Sequence, residues 1–345
     1  MNTPLLTIGI PTYNRPKSIV STVRALLPQL NDKVVLKVYD NCSDPSVAEL
    51  FTDEEKKRFT IIRNKANIGG DANICGVIYN ADTKWVWDLG DDDGPLPDAI
   101  ETILGTIAKY PNALFFKFNS YIEKDLHTFE GLCELHRYKW IFNNFLFISS
   151  GIYNRDKLIG DIQHFYVNLS SMVGQTIFVL KHLERQKEDF YFFSKKIVQH
   201  SVGGMQEEDN REIERGHWDP IVFIKRSSIL FDTFKEKRNF LNKTLYVGVA
   251  TQYLSSIGGN DMTISHSLKS LHAVIKNIGF YNLLRYNSSP LVRTLVKIIL
   301  YAVLPDKLYQ KIRVKNRAKV NSKMMSKENQ RFKKDLKFTS LGGKN

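Results

Sequence analysis

Apolar and polar positions alternate along the first third of the chain in one repeating unit. Residues 5–10 form a short apolar run and Pro11-Thr12-Tyr13-Asn14 reads as a turn. Pro16 stands where a first helical residue belongs, ahead of Ile19, Val20, Val23, Leu26 and Leu27 on one helical side. The unit recurs at 34–39, which ends in Asp40-Asn41-Cys42-Ser43-Asp44 before a helix over 45–51. It recurs again at 59–63, which ends in residues 64–70 before a helix to Ala81, and a fourth strand is predicted at 84–89. Strand-length runs alternating with helical runs predict βαβ crossovers and a mainly parallel sheet buried on both faces. Ligands of such sheets bind outside the carboxyl ends of the strands, where Tyr13, Asp40, Arg63 and Asp91 to Asp93 fall. Further strands are expected at 145–153 and 190–199. Beyond residue 215 the periodicity turns helical, at 220–240, 243–256, 264–278 and 290–304.

The fourth strand delivers three adjacent carboxylates, Asp91-Asp92-Asp93, after Leu89-Gly90. Clustered carboxylates repel unless positive charge lies between them. Mn²⁺ or Mg²⁺ held by only one or two of them keeps sites free for phosphate oxygens, so the run points to a metal-bridged nucleotide diphosphate. The plainer reading is a solvated acidic turn ahead of a helix opened by Pro97-Asp98.

Four segments together carry a family resemblance: Thr7-Ile8-Gly9-Ile10-Pro11-Thr12-Tyr13-Asn14-Arg15, Val38-Tyr39-Asp40-Asn41-Cys42-Ser43, Arg63-Asn64 with Asn67-Ile68-Gly69-Gly70, and Leu89-Gly90-Asp91-Asp92-Asp93. In this order at successive strand ends they resemble a bacterial family 2 glycosyltransferase of the surface-polysaccharide type. The resemblance implies an α/β GT-A fold with a Rossmann-like nucleotide-binding half, followed here by a C-terminal helical appendage. It sets Pro11, Tyr13, Asp40, Arg63 and Asp91 against the nucleotide-sugar, with Tyr13 on the nucleobase face, Asp40 accepting from the base and Asp91 at the ribose. Asp92 aligns with the metal-binding aspartate, Asp93 is grouped with it, and His200, after the last strand of the domain, completes the metal shell. Asp40 tilts the donor toward a uridine nucleotide. Gly90 departs from the family's commonest pattern, which has an aspartate there. Such enzymes also place a Glu-Asp pair or an aspartate after a strand like 145–153. No such pair appears, and Asp161 is the nearest carboxylate to serve as the base of an inverting transfer, with His164 the nearest imidazole.

At 345 residues and 43% hydrophobic, the chain can bury a large core. The expected division is a catalytic domain at 1–215, a helical region at 216–310 and a basic tail at 311–345. That tail holds twelve Lys or Arg against Glu328 and Asp335, so it carries most of the net +13. Just before it, residues 291–304 are apolar except for Arg293, Thr294, Lys297 and Tyr301, too short a run to span a bilayer. An interfacial helix plus polybasic tail would anchor to an anionic membrane surface; a core-facing helix plus solubilising tail has the same pattern. Three cysteines without metal-like spacing and no secretory pattern point to the cytoplasm, at the inner face of the cell membrane. The expected partners are a nucleotide-sugar and a lipid-linked saccharide acceptor. A sugar-1-phosphate nucleotidyltransferase would need a glycine-rich phosphate loop after the first strand, which Pro11-Thr12-Tyr13-Asn14 is not. A nucleic-acid binder would need aromatics interleaved with the tail cations, which offer only Phe332 and Phe338.

Overall fold

A computed structural model describes residues 3–136, 139–199, 226–237, 240, 241, 250, 251, 254, 257 and 264–303. The apolar runs become strands β1 (Leu6–Thr12), β2 (Val34–Asp40), β3 (Thr60–Arg63) and β4 (Trp85–Asp88), and the amphipathic stretches become α1 (Pro16–Leu26) and α3 (Gly70–Tyr79), with a short α2 (Asp53–Lys56) between them. After β4 follow β5 (Gly94–Pro95), α4 (Ala99–Lys109), β6 (Phe115–Lys117), β7 (Lys124–Leu126), α5 (Phe129–His136), α6 (Lys139–Leu146), β8 (Gly151–Asn154), α7 (Arg155–Leu158), α8 (Gln163–Tyr166), α9 (Gly174–Arg185), β9 (Phe190–Phe192) and β10 (Val198–Gln199). Three helices close the described chain: α10 (Ile229–Thr233), α11 (Ile264–Ile278) and α12 (Phe280–Val303).

Eight strands make one twisted sheet in the order β3-β2-β1-β4-β8-β6-β9-β7, with β5 and β10 paired separately. Strands β3, β2, β1 and β4 are parallel neighbours, and β6 is parallel to β9; β8 and β7 run against the rest. Short turns can therefore deliver four consecutive strand ends to one edge. Alternate side chains feed two cores. Leu6, Ile8, Ile10, Leu36, Val38, Trp85 and Trp87 pack under α1 and α4, whereas Tyr39, Val86, Phe115 and Tyr153 pack under α3 and α9. Gly9 makes the second packing possible: a Cβ there would lie 2.3 Å from a Val77 methyl of α3.

Several elements differ from expectation for local reasons. Residues 145–153 are not one strand: α6 runs to Leu146, a 3₁₀ turn covers Ile148–Ser150, and β8 is only Gly151–Asn154. Ile141 and Phe145, one helical turn apart, are both buried, so tertiary packing took the run at period 3.6. The segment after Asp44 is a 3₁₀ turn, Val47–Leu50, and Pro290 lies inside α12 rather than opening it. The proline lacks the N–H that would close that turn, and Asn287 takes a non-helical φ of −132° there, its amide donating to Thr251 Oγ1 at 2.9 Å.

The expected boundary near 215 and the basic tail lie outside the described residues. The helical region nevertheless shares the core of the sheet domain: Leu230, Phe234, Leu254, Leu271, Val274 and Leu291 belong to the same apolar cluster as Phe129, Phe178 and Phe190. The Phe234 ring stands 5.5 Å from that of Phe129, with the Lys181 ammonium 4.6 Å over its face. Phe234→Ala should therefore destabilise the whole protein by about 3–5 kcal/mol, with one urea transition shifted as a unit. A catalytic-domain transition left in place would mean that the helical region is a separate body.

Candidate active site

Register alone sets up the site. Thr12, the last residue of β1, lies opposite Asp40 at the end of β2, and Asp40 opposite Arg63 at the end of β3. On the other side of β1, Leu89 just past β4 donates its N–H to the Gly9 carbonyl at 2.9 Å, which carries the acidic turn up beside Thr12. Thr12 Oγ1 donates to Asp91 Oδ2 at 2.6 Å, and Thr22 of α1 donates to the Asp91 carbonyl at 2.8 Å. Arg15, at the N-cap of α1, completes the ring: its Nη1 lies 3.0 Å from Asp91 Oδ1 and 3.4 Å from Asp92 Oδ2. Burial lifts the Asp91 pKa to about 6, against the pull of Arg15 and the Thr12 hydrogen bond.

The turn has a second brace. Ser149, fully buried before β8, accepts from the Gly90 N–H at 2.8 Å and donates to Asp93 Oδ2 at 2.5 Å, while its carbonyl accepts from Trp87 Nε1 at 2.8 Å. A Cβ on Gly90 would come 3.0 Å from Asp93 Oδ2 and 3.1 Å from Ser149 Oγ. The glycine that departs from the family's usual aspartate is thus matched by a serine and an aspartate that fill the space.

Each anticipated residue can now be located. Tyr13 follows β1 on the loop and is 42% exposed, its ring available to a flat ligand. Pro11 is half-buried within β1, opposite Tyr39. Asn14, at φ 52°, receives the Asp44 N–H on its Oδ1 at 2.8 Å and gives its own N–H to Ser43 Oγ at 3.0 Å, so the loops after β1 and β2 are tied together. The Arg63 side chain is 40% exposed and pairs with Asp40 while its Nη2 donates to the Ser43 carbonyl at 2.9 Å. His200 lies outside the described residues.

Three of the expected site residues are buried. Asp40 is completely buried, and its carboxylate accepts from the Ser43 N–H at 2.8 Å, from the Val47 N–H at 3.4 Å and from Arg63. It has no surface to offer a nucleobase and instead shapes the turn that presents Arg63. Asp93, expected as a metal ligand, is buried and committed to Ser149, and Asp92 is the open carboxylate of the three, its side chain 33% exposed. Asp161, expected as the base, stands away from this row of strand ends. Strand β8 runs antiparallel to β4, so leaving β8 moves the chain to the opposite end of the sheet, where the Arg155 N–H meets the Lys84 carbonyl ahead of β4. There Asp161 is buried in an ion cluster with Arg185 and with His182, whose Nδ1 lies 2.9 Å away.

Among the described residues no group of three or more His, Cys, Asp or Glu is placed to hold a metal by itself. Asp91 and Asp92 do converge on one positive group, the Arg15 guanidinium, and this fits a cation held by one or two carboxylates with phosphate oxygens supplying the rest.

Residues 7–162, which carry every strand end of this site, match the model of glycosyl transferase family 2. Over those residues the chain is similar to that family. It is 28% identical over 113 residues to an uncharacterized glycosyltransferase of Haemophilus influenzae, covering 32% of this chain and 37% of that protein. It is 25% identical over 123 residues to the putative colanic acid biosynthesis glycosyl transferase WcaA of Escherichia coli, covering 35% and 44%. The chain thus spans less than half the length of either relative. In three dimensions it resembles S. aureus TarS 1–349, with a TM-score of 0.57 at 13% identity over 86% of this chain and 91% of that one. The same fragment in complex with UDP gives 0.56. The fold is like that of this staphylococcal protein.

Sequence reasoning passed over Thr12, Arg15, Thr22 and Ser149. Arg15 closes the motif that runs from Thr7 and so had a local signal, whereas Ser149 lies 56 residues from Asp93 and had none. Two variants probe the structural assignments. Ser149→Ala should cost about 1–3 kcal/mol, by removing the hydroxyl that joins the Gly90 N–H to Asp93 Oδ2, and should weaken nucleotide binding through the loosened turn. Asp161→Ala should cost about 1–3 kcal/mol by removing the acceptor that Arg185 and His182 Nδ1 share, yet leave turnover per folded molecule unchanged. Loss of turnover in a folded Asp161→Ala protein would restore it as a base candidate.

Proposed function

We propose that this chain is a metal-dependent glycosyltransferase that moves a sugar from a nucleotide-sugar to a lipid-linked saccharide acceptor in bacterial surface-polysaccharide synthesis, with inversion at the anomeric carbon. The observation that carries this reading is the row Arg63–Asp40–Thr12–Asp91 along four parallel strand ends, with Asp92 open beside it. Tyr13 would stack on the base and Arg63 would meet base or diphosphate with its planar fork. Asp91, fixed by Thr12 and Arg15, would lie at the ribose, and Asp92 would hold Mn²⁺ or Mg²⁺, with Asp91 the second carboxylate within reach. Such a cation neutralises the diphosphate as it leaves. The acceptor oxygen forms the new bond to the anomeric carbon as the bond to the diphosphate oxygen breaks. The electron pair goes to the nucleoside diphosphate and the hydroxyl proton to a base.

A uridine donor is favoured because the staphylococcal fragment of like fold was solved with UDP and with UDP-GlcNAc; with Asp40 enclosed, the preference no longer leans on that residue. The surface-polysaccharide reading draws on the relative named for colanic acid biosynthesis.

Membrane docking is part of the proposal. No helix among the described residues is long and apolar enough to cross a membrane. Helix α12 buries Leu291, Thr294 and Ile298 against the protein, yet exposes Val292, Leu295, Val296, Ile299, Leu300 and Val303 in one continuous stripe. That stripe, followed by the cationic segment 311–345, suits the headgroup region of an anionic membrane at the cytoplasmic face.

Calorimetric titration should show UDP binding that tightens with Mn²⁺, and Asp92→Asn should remove the metal-dependent increment. No binding of any nucleoside diphosphate with or without metal would end the donor reading. In a flotation assay on phosphatidylglycerol vesicles, Val296→Glu with Ile299→Glu should release the protein without unfolding it, because both side chains are exposed. High salt should loosen the wild type, since the electrostatic part is screened within about 8 Å. Flotation equal to wild type would remove α12 as the anchor.

A further inference from the structure

The Arg15 guanidinium occupies the one point where the Asp91 and Asp92 carboxylates converge, 3.0 Å and 3.4 Å from their oxygens. Two features make this more than a surface ion pair. Asp91 is enclosed, and its other oxygen is taken by Thr12, so its charge depends on the guanidinium from the one side left. Arg15 itself is only partly enclosed: its side chain is 26% exposed, and it stands at the N-cap of α1 rather than in the core. A buried carboxylate thus holds a cation that can leave by rotating its side chain, with no movement of the sheet.

We propose that Arg15 is the resident countercation of the donor site. It neutralises Asp91 and Asp92 in the free protein, releases them to the divalent cation that arrives with the donor, and turns its guanidinium to the diphosphate. The proposal rests on the metal-dependent donor reading above. It makes metal and donor binding interdependent: metal alone must displace a tethered guanidinium, whereas metal with diphosphate gives that guanidinium a new anionic partner. Arg15 is then a positioning residue that keeps the site closed to adventitious metal until the donor is present.

The test is Mn²⁺ binding to the full chain, read as loss of the free-ion paramagnetic resonance signal, for wild type, Arg15→Gln and Arg15→Lys, without and with UDP. Wild type should bind Mn²⁺ weakly alone and far more tightly with UDP. Arg15→Gln should bind Mn²⁺ alone about tenfold more tightly than wild type, should lose most of the UDP-dependent gain, and should melt lower in EDTA with the deficit restored by Mn²⁺. Arg15→Lys, which keeps the charge without the fork, should fall between the two and serves as the folded control if the glutamine variant is unstable. Mn²⁺ affinity without UDP that is unchanged or weaker in both variants would overturn the assignment while leaving the donor reading intact. If wild type took up neither Mn²⁺ nor UDP, the donor reading would fail first and this assignment with it.

Discussion

The site depends on keeping the Asp91 carboxylate charged where water cannot reach it. Desolvation alone would protonate such a group near neutrality. The remedy is a set of donors brought from three places in the chain: the hydroxyl at the end of β1, a guanidinium at the head of α1, and a threonine in the middle of α1 fixing the turn's backbone. These converge only because β1 and β4 are parallel neighbours and α1 returns over the sheet between β1 and β2. The βαβ arrangement is therefore the means by which a carboxylate is held in low dielectric at an exposed rim.

The parallel half of the fold was legible in the sequence because both of its signals are local. A buried parallel strand is a continuous apolar run, an amphipathic helix repeats at 3.6, and the turns between them carry proline, glycine and asparagine. What was not legible depends on direction or distance. Asp161 follows the expected segment in sequence, but β8 runs antiparallel to β4, and this reversal carries the segment directly after it to the far end of the sheet. No local pattern announces an antiparallel strand inserted into a parallel sheet. Likewise the Ser149–Asp93 bond joins residues 56 apart, so Gly90 read as a missing ligand when it is one part of a three-residue exchange.

The C-terminal helices illustrate the same limit at one remove. Periodicity located α11 and α12, yet it left open which side of residues 291–304 faces the protein. In the structure Thr294 turns inward and donates to the Leu254 carbonyl at 2.8 Å, while valine, leucine and isoleucine face out. A hydroxyl can be buried when a backbone acceptor waits for it, and that acceptor lies forty residues away. Helical phase follows from composition; which phase faces the protein follows from the partner.

Exposure also divides the acidic and cationic residues of the site into those that shape it and those that can meet a ligand. Asp40 is fully enclosed with its oxygens held by Ser43, Val47 and Arg63, and Asp93 is buried with its Oδ2 bonded to Ser149. Tyr13, Arg63 and Asp92 keep surface, and each stands beside a tied neighbour: Arg63 is paired with Asp40, Asp92 lies on the turn that Asp93 and Ser149 brace, and Tyr13 adjoins the Asn14–Ser43 tie. A motif of this kind therefore mixes two sorts of constraint. Substituting an enclosed member is felt first as a change in where the exposed members point, and substituting an exposed member is felt first as a change in what they hold.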